Sequence, residues 1–323
     1  MKPKLLQNLK LVPALEARLA AAFDMHRISD EADPQAFLAK HGADFVGLVT
    51  SAAVGVSAER IAALPNLRVI SSLGVGLDKL DLVAAQSRGI VVGYTPDVLN
   101  DCVADLAFGL LLDVARGLSA ADRYVRRGAW AATSGTPATP GVPLGRKVSG
   151  ARLGIVGLGR IGQTIAKRAG GFEMKVRYHS RREVAGVPWA HEGDLKALAA
   201  WADYLVVIAA GGAGTRHLVD AGVLAALGPQ GFLINVSRGS VIDEAALVRA
   251  LVSKGIAGAA LDVFENEPQV PAELLALDNV VLLPHIASAT VETRQAMADR
   301  VFDNLLAYFA SGRLISEAPL PAA

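Results

Sequence analysis

A short apolar strand pattern at residues 153–156 runs without a linker into Gly157-Leu158-Gly159-Arg160-Ile161-Gly162, and a helical pattern follows at 163–168. No other stretch limits the fold of the chain so tightly. Between a strand and a helix, the first glycine of this spacing makes a tight turn. The second lets the backbone approach a pyrophosphate, and the third lets the helix pack close to the strand. A diphosphate would then rest on the positive end of the helix dipole. The reading is a βαβ dinucleotide-binding unit, with Gly157, Leu158, Gly159, Arg160, Ile161 and Gly162 as its candidate cofactor contacts.

The rest of the chain repeats the same rhythm of short apolar runs and amphipathic stretches. Strands are expected at 45–50, 67–73 and 90–94, separated by helical stretches at 57–64, opened by the N-cap Ser57, and 78–87, closed by Gly89. A second series at 153–156, 175–178, 204–209, 232–236, 257–263 and 280–283 gives the six strands of one doubly wound parallel sheet. Between the two series lies a long helical stretch at 98–127, apolar over most of its circumference, so that it asks for two burial partners: its own domain and a second subunit. Residues 131–150, rich in Thr, Ser, Pro and Gly, read as a loop or arm, and a last helix is expected at 291–311, ending at Gly312.

At 323 residues and 52% hydrophobic content the chain can fill two cores. Its 32 basic and 31 acidic residues leave no field for a polyanion, so nucleic acid and acidic membranes are not expected partners. One cysteine, Cys102, allows no internal disulfide, and the polar residues Gln7, Asn8, Lys10, Glu16 and Arg18 interrupt any signal-peptide core. No run reaches the length of a spanning helix. The expectation is a cytoplasmic protein with small-molecule chemistry.

Two further sets of residues follow from the parallel sheet. The strand after a glycine loop of this kind ends on the residue that reads the adenosine ribose, commonly an acid. Here stand Ser180, Arg181 and Arg182, which suit a 2′-phosphate better than a free hydroxyl, so NADP(H) is expected over NAD(H), with NAD(H) still possible. Ligands in open α/β sheets bind beyond the carboxyl ends of the strands. Three successive strands end there on Ser237-Arg238-Gly239, on Phe264 through Glu267-Pro268, and on Pro284-His285, offering a cation, a carboxylate and an imidazole. Read alone, Arg238 and Glu267 also fit an ordinary loop ion pair and His285 a strand-end histidine. As a set they offer a proton donor in His285, a carboxylate in Glu267 that favours its imidazolium form and a fixed cation in Arg238 that suits a ligand carboxylate; no metal is needed. Leu73-Gly74-Val75-Gly76 would present backbone N–H groups of Leu73, Val75 and Gly76 to a second carboxylate oxygen, or serve as a structural turn. His26, His41, His179, His191 and His217 read as ordinary surface histidines.

The glycine loop, Ile234-Asn235-Val236-Ser237-Arg238-Gly239, Ala260-Leu261-Asp262-Val263-Phe264 through Glu267-Pro268, and Pro284-His285 together resemble the D-isomer-specific 2-hydroxyacid dehydrogenases. The likeness covers nearly the whole chain. Ser71-Ser72-Leu73-Gly74-Val75-Gly76-Leu77-Asp78 and Ser180-Arg181-Arg182 place it nearest the glyoxylate/hydroxypyruvate and hydroxyphenylpyruvate reductases. The resemblance implies an α/β fold of two domains, a Rossmann doubly wound parallel sheet inserted into a smaller flavodoxin-like substrate domain. Residues 1–96 and 291–323 would form the latter, and 97–290 the former, with a dimerisation helix and arm at about 98–150. It also implies a catalytic set of Arg238, Glu267 and His285, contact of Asp262 with the nicotinamide amide, and a homodimer. Val236 and Ala210 join the cofactor contacts, although Ala210 and Gly211 replace the more polar or proline-bearing turn usual in the family. Trp130, on the arm, fits either interface packing or a reach into a neighbouring subunit's substrate pocket. The expected reaction is NADPH-dependent reduction of glyoxylate and hydroxypyruvate. The alternatives are a reductase of larger aromatic 2-oxoacids such as hydroxyphenylpyruvate and, from another class, a dinucleotide-sensing corepressor-like binding protein. Pro284 stands where the formate dehydrogenases have glutamine, and the short stretch after Ser311 is not expected to hold the regulatory domain of the longer phosphoglycerate dehydrogenases.

Overall fold

The computed structural model describes residues 2–132 and 142–319. The chain divides into two units, Met1–Leu99 with Ala289–Ala323, and Asn100–Ser288. Each is an α/β layer structure around a wholly parallel sheet. In the first, β1 (Lys4–Gln7), β2 (Asp24–Arg27), β3 (Gly47–Ser51), β4 (Val69–Leu73) and β5 (Val91–Gly93) lie in the order β2-β1-β3-β4-β5, the flavodoxin-type arrangement. Every residue of β3 is buried, as expected of a central parallel strand covered on both faces. Neither β1 nor β2 is expected from the sequence. Leu5 and Leu6 of β1 are fully buried, whereas β2 is a polar edge strand whose place is set by its pairing with β1.

The last helix runs over Val291–Ser311, with Thr290 as N-cap and Gly312, at φ 74°, as C-cap. It returns to the first unit. Ala298, Val301 and Leu305 bury against Leu5, Leu15, Leu19 and Val69, each worth about 1.5–3 kcal/mol for the larger side chains. Buried Asn304 completes the join: its Nδ2 donates to the carbonyl of Tyr94, and its Oδ1 accepts from the N–H groups of Ile315 and Ser316. Gly93 is required at that point, since a Cβ there would lie 2.9 Å from Asn304 Nδ2.

In the second unit β6 (Arg152–Val156), β7 (Lys175–His179), β8 (Ala190–His191), β9 (Tyr204–Val207), β10 (Phe232–Asn235), β11 (Gly258–Leu261) and β12 (Val280–Leu282) form the sheet β12-β11-β10-β9-β6-β7-β8. The order reverses between β6 and β9, as in a Rossmann sheet, and the two-residue β8 is an addition to the six expected strands.

The long helix expected at 98–127 is two helices, Asn100–Arg116 and Leu118–Arg126. Gly117 between them has φ 62°, a left-handed conformation that glycine reaches without the cost of a Cβ. The hydroxyl and N–H of Ser119 both donate to Asp113, fixing the corner. The first helix finds both of its burial partners inside its own unit. It packs on β10, β11 and β12 and on the helix Arg160–Ala169, and Phe108 stacks on Phe172 with ring centroids 5.2 Å apart. Its apolar girth therefore does not require a second subunit. Of the arm expected at 131–150, residues 133–141 lie outside the described residues. Among the described residues no helix is long and apolar enough to cross a membrane.

Candidate active site

The glycine loop joins β6 to the helix Arg160–Ala169. Gly157 has φ 100°, and a Cβ on it would lie 2.8 Å from Ala209 Cα, so the turn presses against the end of β9. A Cβ on Gly162 would lie 2.2 Å from the Gly157 carbonyl oxygen, which is the close helix–strand contact expected of the third glycine. Gly159, by contrast, faces open space, and no side chain caps the helix that it precedes. The first N–H groups of that helix need acceptors, and the loop supplies an unobstructed path to them. A dinucleotide diphosphate fits these two features. Ser180, Arg181 and Arg182 follow β7 directly; both arginines are exposed, and the Ser180 hydroxyl donates to the Arg182 carbonyl at 2.6 Å. Exposed Ala210 and buried Val236 follow β9 and β10 at the same edge of the sheet, and the Thr215 hydroxyl donates to the Ala210 carbonyl.

The ends of β10, β11 and β12 bring the reactive groups together. β10 ends on buried Asn235, whose Oδ1 accepts from the N–H and hydroxyl of Ser237 and whose Nδ2 donates to the Arg238 carbonyl. This Asx turn sets the backbone from which half-buried Arg238 projects, and the guanidinium donates to the Ser237 carbonyl at 2.8 Å. Gly239 follows because nothing larger fits: its Cβ would lie 1.9 Å from the Phe264 carbonyl carbon. The loop after β10 thus lies directly on the loop after β11, which carries Glu267. Asn235 and Gly239 carry no chemistry of their own, and the sequence marks them only by their place beside Arg238.

Glu267 Oε2 lies 2.8 Å from His285 Nδ1, and Glu267 Oε1 accepts from the Phe264 N–H at 3.1 Å. Burial raises the Glu267 carboxyl, but the hydrogen bond and charge of His285, the Phe264 N–H and the charge of Arg238 together outweigh it and hold the group below the usual carboxylate range. His285 itself has φ 55°, a left-handed backbone unusual for a non-glycine residue. Asp262 holds it there. The Asp262 carbonyl accepts the His285 N–H at 2.8 Å, and its two carboxylate oxygens accept the N–H groups of Ile286 and Ala287 at 2.7 and 2.8 Å. Asp262 is fully buried, and burial raises its carboxyl against the lowering effect of those two N–H donors. The resemblance assigned this residue to the nicotinamide amide; the contacts it makes in the structure are to the backbone that carries His285.

Two expected substrate elements stand on other stretches of the chain. In the first unit β4 ends at Leu73, and Gly74, at φ 127°, donates its N–H to Thr95 Oγ1 and accepts the Thr95 N–H. The N–H groups of Val75 and Gly76 meet no acceptor among the described residues. Trp130 follows the helix Leu118–Arg126 and is 51% exposed.

A strand-end cation, carboxylate and imidazole beside a dinucleotide loop is the arrangement of a nicotinamide-dependent oxidoreductase. The family model for the NAD binding domain of D-isomer specific 2-hydroxyacid dehydrogenases matches residues 108–287. The chain belongs to this family. It is 44% identical over 302 residues to the hydroxyphenylpyruvate reductase of Plectranthus scutellarioides, and 45% identical over 302 residues to glyoxylate/hydroxypyruvate reductase A of Arabidopsis thaliana, each alignment covering 94% of both chains. A 2-ketogluconate reductase of Gluconobacter oxydans is 42% identical over 315 residues, 98% of both chains. Among solved structures, the NADPH-dependent glyoxylate/hydroxypyruvate reductase of Sinorhizobium meliloti, in complex with NADP and malonate, superposes with a TM-score of 0.92 at 42% identity, covering 100% of this chain and 99% of that one. As a member of the family, the protein is a dehydrogenase with a Rossmann NAD(P)-binding domain.

Proposed function

We propose that this dehydrogenase reduces small 2-oxoacids, glyoxylate and hydroxypyruvate among them, to 2-hydroxyacids with NADPH. The observation that carries the reading is the 2.8 Å pair of His285 Nδ1 and Glu267 Oε2, with Arg238 on the neighbouring strand end. A nicotinamide cofactor held at the glycine loop would supply the hydride. The chain supplies the rest: Arg238 holds the substrate carboxylate with a planar, permanently charged fork and polarises the adjacent carbonyl. With Nδ1 committed to Glu267, Nε2 is the atom of His285 that faces the reaction and delivers a proton to the carbonyl oxygen. Glu267, ionised under these conditions, favours the imidazolium before transfer and keeps the ring oriented after it. Solvent then returns the proton to the imidazole.

NADPH is preferred because Arg181 and Arg182 answer a 2′-phosphate and no acid stands at 180–182, directly after β7; the NADP found in the Sinorhizobium reductase supports this reading. Relatives acting on hydroxyphenylpyruvate and on 2-ketogluconate support a second reading, in which the pocket takes a larger 2-oxoacid. The protein works as a homodimer, a reading supported by Leu118, Val125 and Trp130, each about half exposed on and after the helix Leu118–Arg126. Initial rates of NADPH oxidation with glyoxylate, hydroxypyruvate, hydroxyphenylpyruvate and 2-ketogluconate test the substrate class. The small acids are expected to give the highest kcat/KM; a tenfold advantage for either large acid overturns the choice of substrate. Tight NADPH binding without turnover on any of them would support a dinucleotide sensor instead.

A further inference from the structure

The turn that would read the 2′-phosphate is itself held in place, and the residue that holds it is one the sequence leaves as a bland histidine. His191 Nε2 lies 3.0 Å from the Ser180 carbonyl oxygen. A carbonyl only accepts, so this nitrogen carries the proton and donates. His191 is fixed in its turn: β8 pairs with β7 in parallel, with Tyr178 opposite His191, and the Glu192 N–H donates to the Tyr178 carbonyl at 2.7 Å. The His191 and Tyr178 rings lie 5.2 Å apart between centroids. The far end of the turn is tied as well, because the Val184 N–H donates to the hydroxyl of fully buried Tyr178 at 2.8 Å. The same strand end reaches the glycine loop, where the His179 carbonyl accepts the Gly157 N–H at 2.8 Å.

Arg181 and Arg182 are exposed, and their side chains make no hydrogen bond or ion pair among the described residues. Only the backbone of the turn determines where the two guanidinium groups start from. We propose that His191 is a positioning residue for 2′-phosphate recognition, acting through the Ser180 carbonyl on the turn that carries Arg181 and Arg182 without touching the cofactor. The proposal rests on the NADPH reading above. A doubly charged phosphate depends steeply on where its donors stand, whereas the free 2′-hydroxyl of NADH asks nothing of either guanidinium. Releasing the turn therefore penalises one cofactor and spares the other.

The test is the selectivity of His191→Ala and His191→Gln, measured as kcat/KM for NADPH and NADH with the same 2-oxoacid. Competitive inhibition by 2′,5′-ADP and by 5′-AMP is measured alongside. Loss of one such hydrogen bond is expected to lower kcat/KM for NADPH, and binding of 2′,5′-ADP, by about five- to tenfold in His191→Ala. NADH and 5′-AMP are expected to change by less than about twofold. Gln, whose amide N–H reaches a similar point, is expected to recover most of the loss. Equal falls for both cofactors, no fall for NADPH, or Gln no better than Ala overturns the proposal. A wild-type enzyme that prefers NADH overturns the NADPH reading and this proposal with it. Wild-type preference for NADPH with unaltered selectivity in His191→Ala overturns this proposal alone.

Discussion

Replacing Glu267 by Gln keeps the shape of the side chain and removes one charge beside the proton donor. Two unit charges about 4 Å apart interact by about 4 kcal/mol at an effective dielectric of about 20. The His285 and Glu267 side chains are 40% and 37% exposed, so water screens much of this. About 1–2 kcal/mol remains as the support the carboxylate gives to the imidazolium, or about five- to thirtyfold in rate. The kcat/KM for reduction near neutral pH is therefore expected to fall by about five- to thirtyfold in Glu267→Gln. The glutamine oxygen can still accept from Nδ1–H, so the ring stays oriented and some turnover should survive. The assay is initial-rate NADPH consumption at saturating cofactor across the pH range, wild type against variant. Thermal unfolding separates a structural effect. Glu267 is held below the usual carboxylate range in the folded protein, so its contribution to stability is present above that range and lost as pH falls through the folded value. The variant should unfold at a lower temperature than wild type near neutral pH, with the difference shrinking in acid. A variant that keeps nearly the wild-type kcat/KM near neutral pH would refute the electrostatic role given to Glu267.

Other changes test the supports of the site. Asp262→Asn puts an amide N–H against a backbone N–H and leaves a buried donor unmet, at a cost of about 1–3 kcal/mol; kcat should fall at least tenfold while the Kd for NADPH, followed by fluorescence, changes little. A Kd that rises with kcat preserved would instead favour contact with the nicotinamide amide. In Gly239→Ala the added methyl would meet the Phe264 carbonyl carbon at 1.9 Å, so one of the two loops must shift. The expected result is a loss of about 1–3 kcal/mol of stability by denaturant titration and a lower kcat. Unchanged stability and activity would show that the two loops are not locked together. Arg238→Lys keeps the charge but loses the fork, and KM for the 2-oxoacid should rise more than KM for NADPH. Equal changes in both would count against a substrate role.

Much of this was legible in the sequence, and the remainder failed for identifiable reasons. Strand ends could be read because β9, β10 and β11 are fully buried parallel strands, written as continuous apolar runs. The polar residues that follow such runs stand out, which marks Arg238 and Glu267 as candidates, while His285 follows β12, of which only Val280 is buried. β2, with the sequence Asp-Met-His-Arg, has neither an apolar run nor alternation, and only its partner β1 makes it a strand. Gly117 sits inside a helical pattern that tolerates a glycine, so the break shows only in its positive φ. The ties that position the site were hidden for a different reason. Asp262 meets backbone N–H groups 24 and 25 residues further along the chain, and His191 meets Ser180 across a loop. Such pairs depend on how loops after separate strands settle beside each other, which local periodicity does not encode. The girth of the helix Asn100–Arg116 alone suggested a second subunit because sequence does not show that the helix Arg160–Ala169 covers its other side.

The central claim is that His285 protonates a 2-oxoacid while NADPH is consumed, and single-turnover reduction by wild type and His285→Ala tests it most directly. Each enzyme is mixed with saturating NADPH and then with glyoxylate or hydroxypyruvate, and the nicotinamide absorbance is followed. Wild type is expected to oxidise the cofactor promptly. His285→Ala is expected to bind NADPH with a similar Kd and to oxidise it at least about a hundredfold more slowly. A variant that retains nearly the wild-type rate would contradict the account.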